Sequence, residues 1–335
     1  MTGLPWGRAV ATGIGSLPGT DVAEACRMVL GELPGLPHIP ELPDRGPGAD
    51  MIGRGAGLLV SLPVELYAGQ WKLAGRPGRD LRRTRDLMER DLDALTEAAE
   101  GYRGPLKLQA AGPWTLAANV DLPIGGRVLR DHGAVADLVA SLAEGLQAHV
   151  AEVARRLPEA TLVLQLDEPS VPAVLTGRVP TESGLRTLRR VEASTVEIAL
   201  KSVIEAAAVP VIVHCCADDP PLRLFRGAGA VAVSVDLSRV GSTTAALDEL
   251  GEVIDAGVAL LAGVVPSTGT ARPSAVAAAD TITDLWRRLS FPPERAADQV
   301  VVTPTCGLAG ATPAYARAAL AACVEAARRL DEYAE

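Results

Sequence analysis

Val211-Ile212-Val213-His214-Cys215-Cys216 is the stretch that decides the fold. Three branched aliphatics in a row make a short strand buried on both faces, the kind a parallel sheet contains. The run then ends on one imidazole and two thiols, and Ala217-Asp218-Asp219-Pro220-Pro221 behind it is a turn. Residues two apart on a strand share a face, so His214 and Cys216 converge while Cys215 points away. Soft nitrogen and sulfur donors at a strand terminus suit Zn²⁺, which needs only three or four such groups. Taken alone, His-x-Cys reads equally as a buried strand end, because free cysteine is among the most buried residue types. The rest of the chain must supply another ligand.

Outward from this strand the same alternation repeats eight times. Strands are expected at residues 8–15, 105–111, 160–166, 210–213, 230–235, 258–264 and 299–302. Helical stretches are expected at 21–33, 80–100, 133–157, 182–207, 243–256, 273–289 and 313–333, with Thr20 or Asp21 capping the first. Leu81, Met88, Leu92, Leu95 and Ala99 mark the apolar face of the second of these helices. The second strand belongs at Gly35-Leu36-Pro37-His38-Ile39-Pro40-Glu41-Leu42-Pro43, which is too proline-rich for a regular interior strand. Eight strand–helix units in this length indicate the α/β class and a (β/α)₈ TIM barrel, one domain over residues 1–335. A doubly wound sheet shares the alternation and is the alternative. Gly13-Ile14-Gly15-Ser16-Leu17-Pro18-Gly19 has the wrong spacing for a dinucleotide loop, and Pro18 lacks an N–H where a phosphate would need one.

Composition narrows the function. Apolar residues make up 48% of the chain, but only four Trp, four Tyr and two Phe are among them, so the core is built from Ala, Val and Leu. The net charge is −9 and the 32 basic residues are dispersed, which argues against nucleic acid as a partner. No apolar run approaches the ~20 residues that span a bilayer, and no leader pattern opens the chain. The expected location is the cytoplasm, where Cys26, Cys215, Cys216, Cys306 and Cys323 serve burial or metal binding rather than disulfides.

In a barrel, chemistry collects at the C-terminal ends of the strands. Here those ends read Ile14-Gly15-Ser16, Asp167-Glu168-Pro169, His214-Cys215-Cys216, Asp236 and Thr305-Cys306-Gly307. The adjacent carboxylates of Asp167 and Glu168 would sit half-buried and so call for a cation or an ammonium partner. His214, Cys216 and Cys306 form a three-ligand set with one position open, as in catalytic zinc sites. Asp236 alone reads as a turn or cap residue. Cys26 and Cys323, placed in helices among alanines, read as core; His132 and His149 read as helix-end and helix-surface residues.

Six pieces in order resemble the catalytic C-terminal domain of cobalamin-independent methionine synthases: Ile14-Gly15-Ser16-Leu17-Pro18, Gly112-Pro113-Trp114-Thr115-Leu116, Gln165-Leu166-Asp167-Glu168-Pro169, His214-Cys215-Cys216, Ser234-Val235-Asp236-Leu237-Ser238-Arg239 and Cys306-Gly307-Leu308. The resemblance implies a zinc barrel that methylates homocysteine sulfur. It implies His214, Cys216 and Cys306 as metal ligands, with Asp236 where the family has a glutamate ligand. It implies Ile14, Gly15, Ser16 and Asp167 as the amino-acid subsite, Glu168 in support, and Trp114 on the cofactor side. The family's glutamate near strand two has two candidates, Glu41 and Asp50. The family's folate-holding segment is replaced by residues 62–71, and the family's histidine after strand seven falls at Thr268, the corresponding catalytic position. Full-length members carry a second, N-terminal barrel for which this chain is too short.

The partners so implied are homocysteine and a methyl donor, either methyltetrahydrofolate or methylcobalamin, the latter free or on a corrinoid protein. Thr268 cannot supply the proton a folate N5 needs on leaving, so a donor other than free methyltetrahydrofolate is expected. Two other readings compete. A uroporphyrinogen-decarboxylase-like barrel needs no metal and leaves His214, Cys216 and Cys306 unexplained. A non-catalytic, methyl-shuttling zinc module would bind metal without methylating homocysteine.

Overall fold

The computed structural model describes residues 4–241 and 243–334. Seven parallel strands form one curled sheet in the order β1-β9-β8-β7-β6-β5-β4. They are β1 (Val10–Ala11), β4 (Pro105–Ala111), β5 (Thr161–Asp167), β6 (Val211–Cys215), β7 (Ala232–Asp236), β8 (Ala259–Val265) and β9 (Val300–Pro304). β2 (Val64–Tyr67) and β3 (Gln70–Leu73) pair antiparallel as a separate hairpin. The expected first strand is thus reduced to two residues.

The gap between β1 and β4 is closed by residues 38–41. His38 bridges Lys107 and Glu41 bridges Ser16, both in parallel sense. Ile39 N donates to Lys107 O (3.1 Å), Lys107 N to Pro37 O (2.9 Å), Glu41 N to Gly15 O (3.1 Å) and Leu17 N to Glu41 O (2.9 Å). Pro37, Pro40 and Pro43 have no N–H to give, so the eighth stave is a pair of bridges rather than a ladder. A TIM-like barrel results.

Helices cover the outside: α1 (Val22–Glu32), α2 (Met51–Leu58), α3 (Arg79–Ala98), α4 (Pro113–Asn119), α5 (His132–Arg156), α6 (Val171–Thr176), α7 (Ala193–Ala207), α8 (Leu222–Gly227), α9 (Thr244–Asp255), α10 (Ala275–Leu289), α11 (Pro293–Gln299) and α12 (Pro313–Ala334). Asp21, Asp50, Asp131, Thr243 and Ser274 cap five of them by accepting a backbone N–H three residues on. On α3, Leu81, Leu92 and Leu95 are buried and Met88 is half-buried, as the periodicity predicts. The helix expected over 182–207 begins only at Ala193.

Period-2 alternation layers the barrel interior. Val10, Val163, Ile212, Ala232, Leu261 and Val301 form its apolar floor. Two residues further along the same strands stand Thr12, Gln165, His214, Ser234 and Thr303, all buried and polar. One more step reaches Asp167 and Cys216 at the mouth. The floor excludes water, and every polar group above it needs a partner within the barrel.

Candidate metal and amino-acid site

Ile14, Gly15, Ser16, Asp167, His214, Cys216 and Cys306 line a single cavity of about 270 Å³ at the C-terminal mouth, together with Glu41, Met51 and Gly307. Ligand atoms of His214, Cys216 and Cys306 all lie within 4.8 Å of one another. The sulfurs of Cys216 and Cys306 are 3.4 Å apart. His214 delivers its ring from the end of β6 with Nδ1 held by Ser234 O (3.2 Å) and Ser234 Oγ (3.0 Å), so Nε2 is the nitrogen left for a ligand. This is the arrangement in which a metal-binding imidazole is oriented through its other nitrogen. Contact with Cys216, then with His214, holds the Cys306 thiol below its usual range, against burial. The same contact, then burial, push Cys216 up. Two thiols and one oriented imidazole fit Zn²⁺.

Two carboxylates line the same cavity as these ligands. Asp167 is buried, and burial pushes its carboxyl up. Its Oδ1 accepts from Gln165 Nε2 at 2.7 Å. Glu41 enters from the bridging segment, with Oε1 3.4 Å from Arg54 Nε. Arg54 is itself paired with the fully buried Asp91, which also takes two bonds from Arg45 (2.6 and 2.9 Å). Burial raises Glu41 to about 7, opposed by Arg54. Of the two glutamate candidates the structure therefore puts Glu41 in the cavity, while Asp50 is spent capping α2. At the first loop, a Cβ on Gly307 would come within 2.0 Å of Ser16 Oγ, so any other residue there would turn the Ser16 hydroxyl out of its present position.

Four sequence expectations find different settings. Asp236 is outside the ligand group: Oδ1 accepts from Ser238 N (2.9 Å) and Ser238 Oγ (2.6 Å), and Oδ2 lies 3.4 Å from Arg239 Nε. One methylene shorter than glutamate, it closes its own turn instead of reaching the mouth. Glu168 points away from the cavity; it is fully buried and accepts from Trp114 N (3.0 Å), Thr115 N (2.8 Å) and Thr115 Oγ1 (2.7 Å) at the start of α4. Trp114 is buried in the helical layer with Nε1 on Val196 O (3.0 Å), away from the mouth. Thr268 is exposed on the loop after β8, where its carbonyl accepts from Tyr315 Oη (3.2 Å).

Glu168→Gln is therefore expected to cost about 1–2 kcal/mol of stability, because one amide hydrogen must face N–H donors at the helix start. Metal content should not change. Denaturant unfolding beside metal analysis checks both, and lost metal at intact stability would return Glu168 to the site.

Fold and site together define a parallel β/α barrel with a His/Cys set that could hold a metal ion at the C-terminal mouth. Residues 122–329 match the family model for the cobalamin-independent synthase, catalytic domain. That match spans more than half the chain, and the chain belongs to this family. It selects the synthase over the decarboxylase among the readings drawn from sequence. A solved B12-independent methionine synthase from Shewanella sp. W3-18-1, in complex with selenomethionine, is similar at a TM-score of 0.60 and 13% identity. The alignment covers 97% of this chain and 98% of that one, and at this identity the likeness is one of fold. No curated protein matches in sequence.

Lys107 and Gln165 are buried beneath the cavity and were not singled out in the sequence. The signal was present: Leu106-Lys107-Leu108-Gln109 alternates inside a strand expected to be interior, so Lys107 had to be buried with a partner.

Proposed function

We propose that this chain is a zinc-dependent methyltransferase that converts homocysteine to methionine, with one barrel domain carrying the whole site. The observation that carries the reading is the placing of His214, Cys216 and Cys306 in the same cavity as Asp167 and the Ile14–Ser16 loop. Zn²⁺ held by His214, Cys216 and Cys306 would supply the Lewis acidity that lowers the pKa of a substrate thiol from its free value near ~8.5, so that its proton passes to solvent at neutral pH. Asp167 and Glu41 receive the ammonium group, the first loop faces the carboxylate, and both ends fix where the sulfur sits. The sulfur then forms its bond to the methyl carbon as the bond from methyl to donor breaks, and the electron pair leaves with the donor. Ile14, Pro43, Met51 and Pro169 give the cavity an apolar lining that limits water competing for the methyl group.

The cytoplasm is the proposed location, since all five cysteines are free. Among the described residues no helix is long and apolar enough to cross a membrane. On the donor side, Thr268 offers a hydroxyl that cannot protonate a leaving nitrogen at neutral pH. We therefore expect faster turnover with methylcobalamin, free or on a corrinoid protein, than with methyltetrahydrofolate. Zinc-loaded protein given homocysteine and each donor in turn tests this. Methionine formed only with methyltetrahydrofolate would overturn the donor assignment, and none with either donor would favour the methyl-shuttling module.

A further inference from the structure

Resting on that reading of the cavity, we infer that Lys107, buried beneath the site and touching no substrate, is the positioning residue that makes the pocket select an amino acid over the same thiol without its amino group. Lys107 is fully buried on β4. Its Nζ donates to Gln165 Oε1 (2.6 Å) and to Ile14 O (2.8 Å). Gln165 Nε2 in turn donates to Asp167 Oδ1 (2.7 Å) and to Ile14 O (2.9 Å).

The chemistry of the donors makes this chain directional. As an ammonium, the form the neighbouring Asp167 and Glu41 carboxylates favour, Lys107 can only donate, and it then accepts no arrangement but the one with the Gln165 carbonyl oxygen facing it. The amide is thereby fixed, and its NH₂ must face Asp167 and Ile14. Asp167 receives a hydrogen bond on Oδ1, which leaves Oδ2 for the substrate ammonium. The Ile14 carbonyl, taking two donors, has both lone pairs filled, and the loop that begins the carboxylate subsite is pinned to the same lysine.

Without Lys107 the Gln165 amide is free to turn. Its oxygen would then oppose the Asp167 carboxylate, and the oxygen reserved for ammonium would no longer be held in place. Burial lowers Lys107 to about 7, while Asp167 and Glu41 act to keep its charge. The two carboxylates at the mouth and the lysine below are thus one electrostatic unit, with the cation held where it cannot compete for substrate.

The test compares homocysteine with 4-mercaptobutyrate, which has the thiol and the carboxylate but no amino group. Zinc-loaded wild-type, Lys107→Met and Gln165→Met proteins are titrated with each. In Lys107→Met, homocysteine affinity should fall about 10-fold or more, as for loss of a hydrogen bond to a charged group, and by clearly more than 4-mercaptobutyrate affinity, while zinc content stays as in wild type. Equal weakening of both ligands would mean a merely structural lysine and would overturn the inference. So would unchanged homocysteine affinity. If Lys107→Met does not fold, Gln165→Met carries the same readout, since it cuts the link to Asp167 and keeps the lysine bond to Ile14; undiminished preference for homocysteine there overturns the inference as well. A wild-type protein that binds neither ligand overturns the reading of the cavity, and this inference with it.

Discussion

Cys306→Ser should strip the protein of zinc. The site has three ligand atoms within 4.8 Å of one another, and removing one leaves a set of two. Asp236 has both oxygens engaged in its own turn. Loss of an outer hydrogen-bond partner alone costs about 10–100-fold in metal affinity, so removal of a sulfur ligand should exceed that. Atomic absorption on the dialysed variant checks this, with Cys323→Ser as the control. Cys323 lies buried in α12 and should keep full zinc. Stoichiometric zinc in Cys306→Ser would mean that the metal sits elsewhere.

Asp167→Asn should leave zinc in place and weaken homocysteine binding severely. Gln165 Nε2 already occupies Oδ1, so the side chain keeps its orientation through the remaining oxygen. The new NH₂ then points at the substrate ammonium, donor against donor. Truncating one member of a buried charge pair costs about 2–5 kcal/mol, or roughly 30-fold to several thousand-fold in affinity. Calorimetric titration on the zinc-loaded variant measures it. Affinity within a small factor of wild type would assign the ammonium to Glu41 alone.

The barrel was legible because buried parallel strands announce themselves as short runs such as Leu162-Val163-Leu164 and Val211-Ile212-Val213. The ligand set was legible for a related reason: strand alternation fixes His214 and Cys216 on one face, and barrel topology brings Cys306 around to meet them. What could not be read were choices made by tertiary neighbours. The 64–73 hairpin has too few residues per strand to separate from a loop by pattern. Residues 35–43 kept their place in the barrel despite three prolines, because two bridges suffice to close it. Adjacent carboxylates Asp167 and Glu168 look alike in sequence, yet alternation sends one to the cavity and the other to the start of α4. Glu41 was one of two candidates until its backbone was seen bridging Ser16.

The central claim is that homocysteine binds here with its sulfur deprotonated at the His214, Cys216 and Cys306 site. At pH 7 a thiol with a pKa near ~8.5 is almost wholly protonated, so binding as thiolate must release about one proton. Calorimetry in buffers of different ionisation enthalpy counts that proton, and methionine, which has no thiol, corrects for carboxyl and lysine groups that respond to any ligand. The zinc-loaded protein should release about one proton more on binding homocysteine than on binding methionine, and the excess should vanish in the metal-free protein. Equal proton counts for the two amino acids, with zinc bound, would contradict the account.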